Sequence, residues 1–176
     1  SKIDGVVCGL VGTAFHFAIQ LATQARGAHP WLLWLLPAAG VAIVLLYRVC
    51  GLERDQGTNF VLIAVRENAP MRLRTAPLIF LATVLTHLTG GSSGREGAAL
   101  QLGGSISSKL GTWMRLDEKD HRTITMCGMS AAFSALFGTP LAAAVFSMEV
   151  VSVGVMYYAA LVPCVLSALI GTGVAQ

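Results

Sequence analysis

Apolar residues in this chain run in long blocks, and polar residues gather between them. Five stretches carry no Asp, Glu, Lys or Arg: 5–25, 27–47, 75–94, 123–148 and 150–176. A helix crosses a bilayer with about 20 such residues. The first block predicts a helix over 3–25, in which Gly5, Gly9, Gly12, Ala14 and Ala18 give small-residue spacing for close helix contact. It is too long for a secretory signal, and no cleavage-like site follows it before more apolar sequence. Arg26-Gly27-Ala28-His29-Pro30 reads as a turn, with Pro30 suited to opening a second helix over about 31–49. Trp31 and Trp34 stand where interfacial anchors would.

The later blocks are interrupted. Gly57-Thr58-Asn59 precedes an apolar run, 60–65, too short to span. Such short helices after a Gly-rich break resemble the discontinuous helices of transporters. Residues 77–89 predict a helix ending at Gly90-Gly91, and 98–110 another, interrupted by Gly103-Gly104. A charged loop runs to Arg122. Residues 123–137 are rich in small side chains, Gly138-Thr139-Pro140 breaks the chain again, and helices over 141–150 and about 154–172 complete it. About eight helical pieces result, several half-length and tilted, with breaks at Gly57, Gly94 and Gly138. In hydrocarbon, irregular backbone survives only inside protein or beside water. The three breaks are therefore expected to converge on a site.

Composition agrees with this pattern. Of 176 residues, 55% are hydrophobic and 12% charged, against about 25% charged in soluble domains; mean hydropathy is +0.69. The fold class expected is an all-α integral membrane protein, with 1–176 as one membrane domain. A net charge of +3 gives no reason to expect nucleic acid. The charges fall mostly in 48–74 and 109–122 with mixed signs, so the Lys/Arg bias leaves orientation open and dual topology conceivable. Cys8, Cys50, Cys127 and Cys164 lie far apart without a CxxC pair, and read as small hydrophobes. Neither a metal site nor a cofactor is expected. With no nucleophile–base pair in view, no enzymatic activity is expected either.

The most informative stretch is Gly90-Gly91-Ser92-Ser93-Gly94-Arg95-Glu96-Gly97. A charge at the centre of a membrane helix costs about 2.5–3.5 kcal/mol on insertion scales, so a carboxylate here needs a reason. Glycines let the backbone turn, and the following helix presents free N–H groups and the positive end of its dipole, an anion site. Glu96 can occupy that site itself. It can equally be a local N-cap carboxylate, worth about 0.5–2 kcal/mol. Thr58 and Asn59 have the same two readings, cap or anion donor, because both use one geometry. Arg95 reads more readily as a structural clamp than as an anion ligand. His16 and Phe137 read as packing residues, Glu149 as structurally paired, and His87 as a buried tautomer bonded to a carbonyl.

Gly91-Ser92-Ser93-Gly94-Arg95-Glu96-Gly97 resembles the G-x-x-G-R-E-G signature of the CLC chloride channels and anion/proton antiporters. Residues 128–149, GMSAAFSALFGTPLAAAVFSME, resemble the family's small-residue helix, F-x-x-P-L-A break and apolar helix ending in Glu. The resemblance is strong over roughly 50–150 and follows the helix pattern at the flanks. It implies one half, the N-terminal one, of a CLC inverted repeat, in which helix N-termini from both halves point at a central anion. The anion-facing positions would be Gly57, Thr58, Asn59, Gly94, Arg95 and Gly97, and Glu96 would be the gating glutamate that leaves the site on protonation. Chloride members carry G-S-G-I-P where this chain has Gly57-Thr58-Asn59-Phe60-Val61, and Pro where it has Ala98. Both departures resemble the fluoride-exporting branch, as do Pro77-Leu78-Ile79-Phe80 and Thr86-His87-Leu88. Glu149 is followed by Val150, so the second, internal glutamate of the chloride antiporters is missing at that position.

The resemblance thus implies halide transport, fluoride before chloride, coupled to protons through Glu96. A chloride channel or chloride/proton antiporter half-subunit is the alternative, and a non-transporting membrane assembly piece is the alternative of another class. The partners expected are the lipid bilayer and either another copy of this chain, as a homo-oligomer, or a C-terminal CLC half. The location expected is the bacterial inner membrane.

Overall fold

The computed structural model describes residues 2–52, 57–67, 71–151 and 157–176. The side chains of Thr58 and Phe60 lie outside the described residues. Among the described residues eight α-helices follow one another: α1 (Lys2–Ala28), α2 (Leu36–Val49), α3 (Thr58–Arg66), α4 (Thr75–Leu88), α5 (Arg95–Trp113), α6 (Glu118–Phe137), α7 (Pro140–Val151) and α8 (Leu161–Ala175). Short 3₁₀ segments, Pro30–Leu35 and Tyr158–Ala160, lead into α2 and α8. No strand occurs among the described residues. Lys2–Ala28, Pro30–Val49 and Tyr158–Ala175 are long and apolar enough to cross a membrane.

The distribution of side chains is inverted relative to a water-soluble bundle. Serines 107, 108, 130, 134, 147 and 167 are buried, whereas Ile3, Leu10, Phe17 and Leu21 of α1 and Val162, Leu166 and Leu169 of α8 are exposed. In lipid this arrangement is favourable, because tails solvate Leu and Val while hydroxyls bond between helices. Ser130 Oγ donates to the Cys164 carbonyl at 3.2 Å, and Ser134 Oγ and Thr172 Oγ1 are 2.6 Å apart, tying α6 to α8. α6 is the central helix, flanked by α1, α5, α7 and α8. By contrast α2 buries only Ala39 and touches little beyond α4. Trp31 and Trp34 stand exposed at its approach, as anchors would.

Two elements depart from expectation. Gly103-Gly104 does not interrupt α5, which runs unbroken for 19 residues. Gly103 instead admits another backbone, and Gly104 packs against the side chains of Val61 and Met129: a Cβ on Gly103 would overlap the Gly128 carbonyl oxygen, and one on Gly128 would lie 2.7 Å from the Gly103 oxygen. The second departure is the start of α6, at Glu118 inside the stretch expected as a charged loop. Asp117 caps it, accepting from the Asp120 N–H at 3.2 Å. The acidic first turn, Glu118 and Asp120, suits the positive end of the helix dipole. The expected last helix, 154–172, is the 3₁₀ turn and α8; residues 152–156 lie outside the described residues.

Candidate functional site

The start of the short α3 and the start of the long α5 meet at one cleft. α3 starts after Gly57 and α5 after Gly94, N-cap residues with no side chain of their own to cap the helix. The leading N–H groups of such ends have no partner within the helix. Both N-cap residues line a cavity of about 730 Å³, together with Gly97, Ala98, Gln101, Thr83, Ile79 and, from α2 and its end, Ile43, Val44, Tyr47, Arg48 and Leu52. The walls combine apolar side chains with a few convergent polar groups, the usual makeup of a ligand site.

Gly57 is needed there on conformational grounds. Its φ of +60° and ψ of −138° lie where side chains are rarely tolerated. That bend aims α3 at the cleft, with the Gln101 amide nitrogen 3.7 Å from where a Cβ would stand. Gly57→Ala should cost about 1–3 kcal/mol of stability and weaken anion binding, which thermal unfolding with and without fluoride would register. An unchanged midpoint would show that the bend is not constrained.

Glu96 is the second residue of α5, is exposed, and is not among the residues that line the cleft. Its Oε2 lies 3.3 Å from where a Cβ on Gly94 would stand, so the carboxylate folds back over the turn. Gly57, Gly94 and Gly97 come together at the cleft. Asn59 is exposed and does not line it. The Thr58 backbone opens α3, but its side chain lies outside the described residues.

Arg95 turns the other way. It lines a separate cavity of about 410 Å³ with Arg26, Gln20, Gln24 and His87. It is exposed, and no clamp of Arg95 onto a described residue is present. The third break also goes elsewhere: Gly138, a left-handed cap with φ of +69°, borders a cavity shared with His16, Gln20 and Phe137. Two breaks converge, not three, because the unbroken α6 carries Gly138 away from α3 and the start of α5.

Other side chains sit as their surroundings require. His87 Nδ1 lies 2.8 Å from the Thr83 carbonyl oxygen, which fixes the proton on that nitrogen. Cys8, Cys127 and Cys164 are buried and free, with 3.8 Å between the sulfurs of the last two. Among the described residues no group of three or more His, Cys, Asp or Glu could hold a metal. Sequence reasoning missed Gln101 and Arg48 as cleft residues. The signal for Gln101 was present, a lone amide in the apolar run Ala98–Leu102. Arg48 offered none, since it reads as the end of a spanning helix.

The same architecture occurs in known proteins. A family model described as voltage gated chloride channel matches residues 40–176. A chloride/fluoride channel protein of Pseudomonas syringae pv. tomato is 43% identical over 99% of this chain and 39% of its own length. The H(+)/Cl(-) exchange transporter ClcA of Cronobacter sakazakii is 32% identical over 85% of this chain and 35% of its own. The chain therefore spans well under half the length of these two relatives. Among solved structures, a CLC-type fluoride/proton antiporter superposes with a TM-score of 0.92 at 38% identity, covering 99% of this chain and 45% of that one. A slow cyanobacterial Cl-/H+ antiporter superposes with a TM-score of 0.76 at 21% identity, a likeness of fold. With the family model covering 40–176 and the broken-helix cleft in place, the chain is an integral membrane protein that belongs to the voltage-gated chloride channel, or CLC, family.

Proposed function

We propose that this chain carries one half of a membrane transport site for a small halide, with fluoride preferred and proton exchange at Glu96. The observation that carries the reading is the meeting of two helix N-termini led by glycine, at Gly57 and Gly94, over one cleft. Fluoride is small and strongly hydrated, so a path for it must replace water with close donors. The leading backbone N–H groups of α3 and α5 are such donors, and Gln101 borders the same space. Glu96, beside the α5 N-terminus, competes for the anion's place when ionised and gives it up on protonation. The chloride/fluoride relative and the fluoride/proton antiporter structure support this choice of ion.

The site is completed by a second half, supplied by a C-terminal CLC half or by another copy of this chain. Residues 1–176 act as one membrane domain, in the inner membrane of a bacterium, and the function is transport rather than catalysis. A chloride/proton antiporter half is the second reading, favoured by the 32% identical chloride exchanger.

Liposome efflux tests both. The protein is reconstituted and read with fluoride and chloride electrodes at acidic and neutral pH. Faster, pH-dependent fluoride efflux is expected; faster chloride efflux selects the second reading. An absence of flux of either ion, alone and with a C-terminal half supplied, would reduce the chain to an assembly piece. One-sided cysteine labelling of closed vesicles separates single from dual topology.

A further inference from the structure

Asp4 lies in the first turn of α1 and is wholly buried. Its Oδ1 accepts a hydrogen bond from Ser107 Oγ on α5. Cys8 Sγ, one turn on, lies 3.7 Å from the same oxygen and 3.1 Å from Ser107 Oγ. Oδ2 has no hydrogen-bond partner among the described residues. Ser167 Oγ on α8, which borders the neighbouring Gly5, is buried and unpartnered as well. An ionisable side chain inside a spanning helix is costly, and such residues commonly mark proton or ion pathways.

No Lys, Arg or His side chain bonds to Asp4 among the described residues. The ionisable groups that act on it are the amino terminus of the chain, Cys8 on its own helix and Cys127 on α6. α5 presents Ser107 and α8 presents Ser167, both hydroxyls that stay protonated. Among the described residues the carboxyl is therefore bonded to hydroxyl and thiol groups alone.

Its position relative to Glu96 gives it a task. Ser107 stands eleven residues after Glu96 on α5. Eleven residues make almost three whole turns, so the two share one stripe of the helix, about 16 Å apart along its axis. One carboxyl, Glu96, sits at the N-terminal turn of α5. The other, Asp4, is tethered to its C-terminal third.

We propose that Asp4 is a second proton-carrying carboxyl of the transporter, serving the membrane side opposite Glu96, with Ser107 as its positioning partner. This rests on the proton-coupled reading above. The proton binds at Oδ2, the oxygen without a partner, and leaves from it at the N-terminal end of α1, where Lys2 is exposed. Only that O–H bond forms and breaks. Ser107 donates to Oδ1 in both states, so Asp4 titrates without releasing α5.

The test is Asp4→Asn in the full-length protein, reconstituted in liposomes and read by fluoride and pH electrodes in the same run. Asparagine keeps the shape and an acceptor for Ser107 but carries no proton. Fluoride efflux should stay within about threefold of the unsubstituted protein while proton uptake falls at least about tenfold. Equal fluoride and proton rates in both proteins would overturn the proposal and leave Asp4 a structural tether. Should Asp4→Asn not fold, Ser107→Ala decides: the pH midpoint of proton uptake must move while fluoride efflux persists, and an unmoved midpoint overturns the role. Glu96→Gln runs alongside. If it abolishes proton uptake and Asp4→Asn does not, only the Asp4 proposal fails. Absence of halide flux from the unsubstituted protein fails the transport reading and takes this proposal with it.

Discussion

Glu96→Gln is expected to separate anion movement from proton movement. In liposomes, proton uptake driven by a fluoride gradient should fall by at least about tenfold, or about 1.4 kcal/mol in the apparent barrier. The pH dependence of fluoride efflux should vanish with it. The carboxylate lies over the turn that opens α5, and in the proposed gate its charge competes with a halide for the N–H groups there. Glutamine matches its size but can neither gain nor lose a proton, so the competition no longer responds to pH. The plain capping role makes a different forecast. A carboxylate at a helix N-terminus is worth about 0.3–1 kcal/mol through the dipole, so loss of a cap would lower thermal stability by that amount and leave pH-dependent proton uptake intact. Measuring unfolding and proton flux on the same variant distinguishes the two, and persistent pH-dependent uptake would remove Glu96 from the gate.

Gly128→Val should have the larger effect on folding. Added core methylenes usually cost about 1–3 kcal/mol when neighbouring side chains can shift. At Gly128 the first atom added would meet Ser107 and the Gly103 carbonyl, 2.7 Å away. Backbone of a neighbouring helix cannot move aside as a rotamer does, so the cost should reach or exceed that upper figure. The expected result is loss of monodisperse protein after detergent extraction, read by size-exclusion chromatography. Val in place of Gly138, where a Cβ would meet nothing within 4 Å but where φ is +69°, should cost strain without a clash. A Gly128→Val protein that extracts and unfolds like the unsubstituted one would contradict the close approach of α5 and α6.

The membrane class and the order of helices were legible because they depend on local composition. Charge-free blocks, Pro30 and Pro140 near helix starts, and Gly138 after a helix end act within a few residues of where they stand. The turn at Gly94 and the short α3 were legible for the same reason. What failed depended on distant partners. Gly103-Gly104 looks like an interruption until α6 is laid against it, since only the facing Gly128 shows that the missing side chain of Gly103 makes room for a backbone. Arg95 reads as a clamp rather than an anion ligand, yet it lines a cavity shared with Arg26, from a helix more than sixty residues earlier. Nothing local singles out Asp4, and only the tertiary structure reveals Ser107 against it.

The seam between Gly103 and Gly128 also restricts how this molecule can work. Where two main chains touch with nothing between them, sliding or rolling one past the other would drive carbonyl into carbonyl. The segment bearing Glu96 is therefore fixed to its neighbour as a single strut. Opening and closing of the route must come from swings of individual groups at its tip, or from the whole strut tilting together, and not from rotation of one rod on its own.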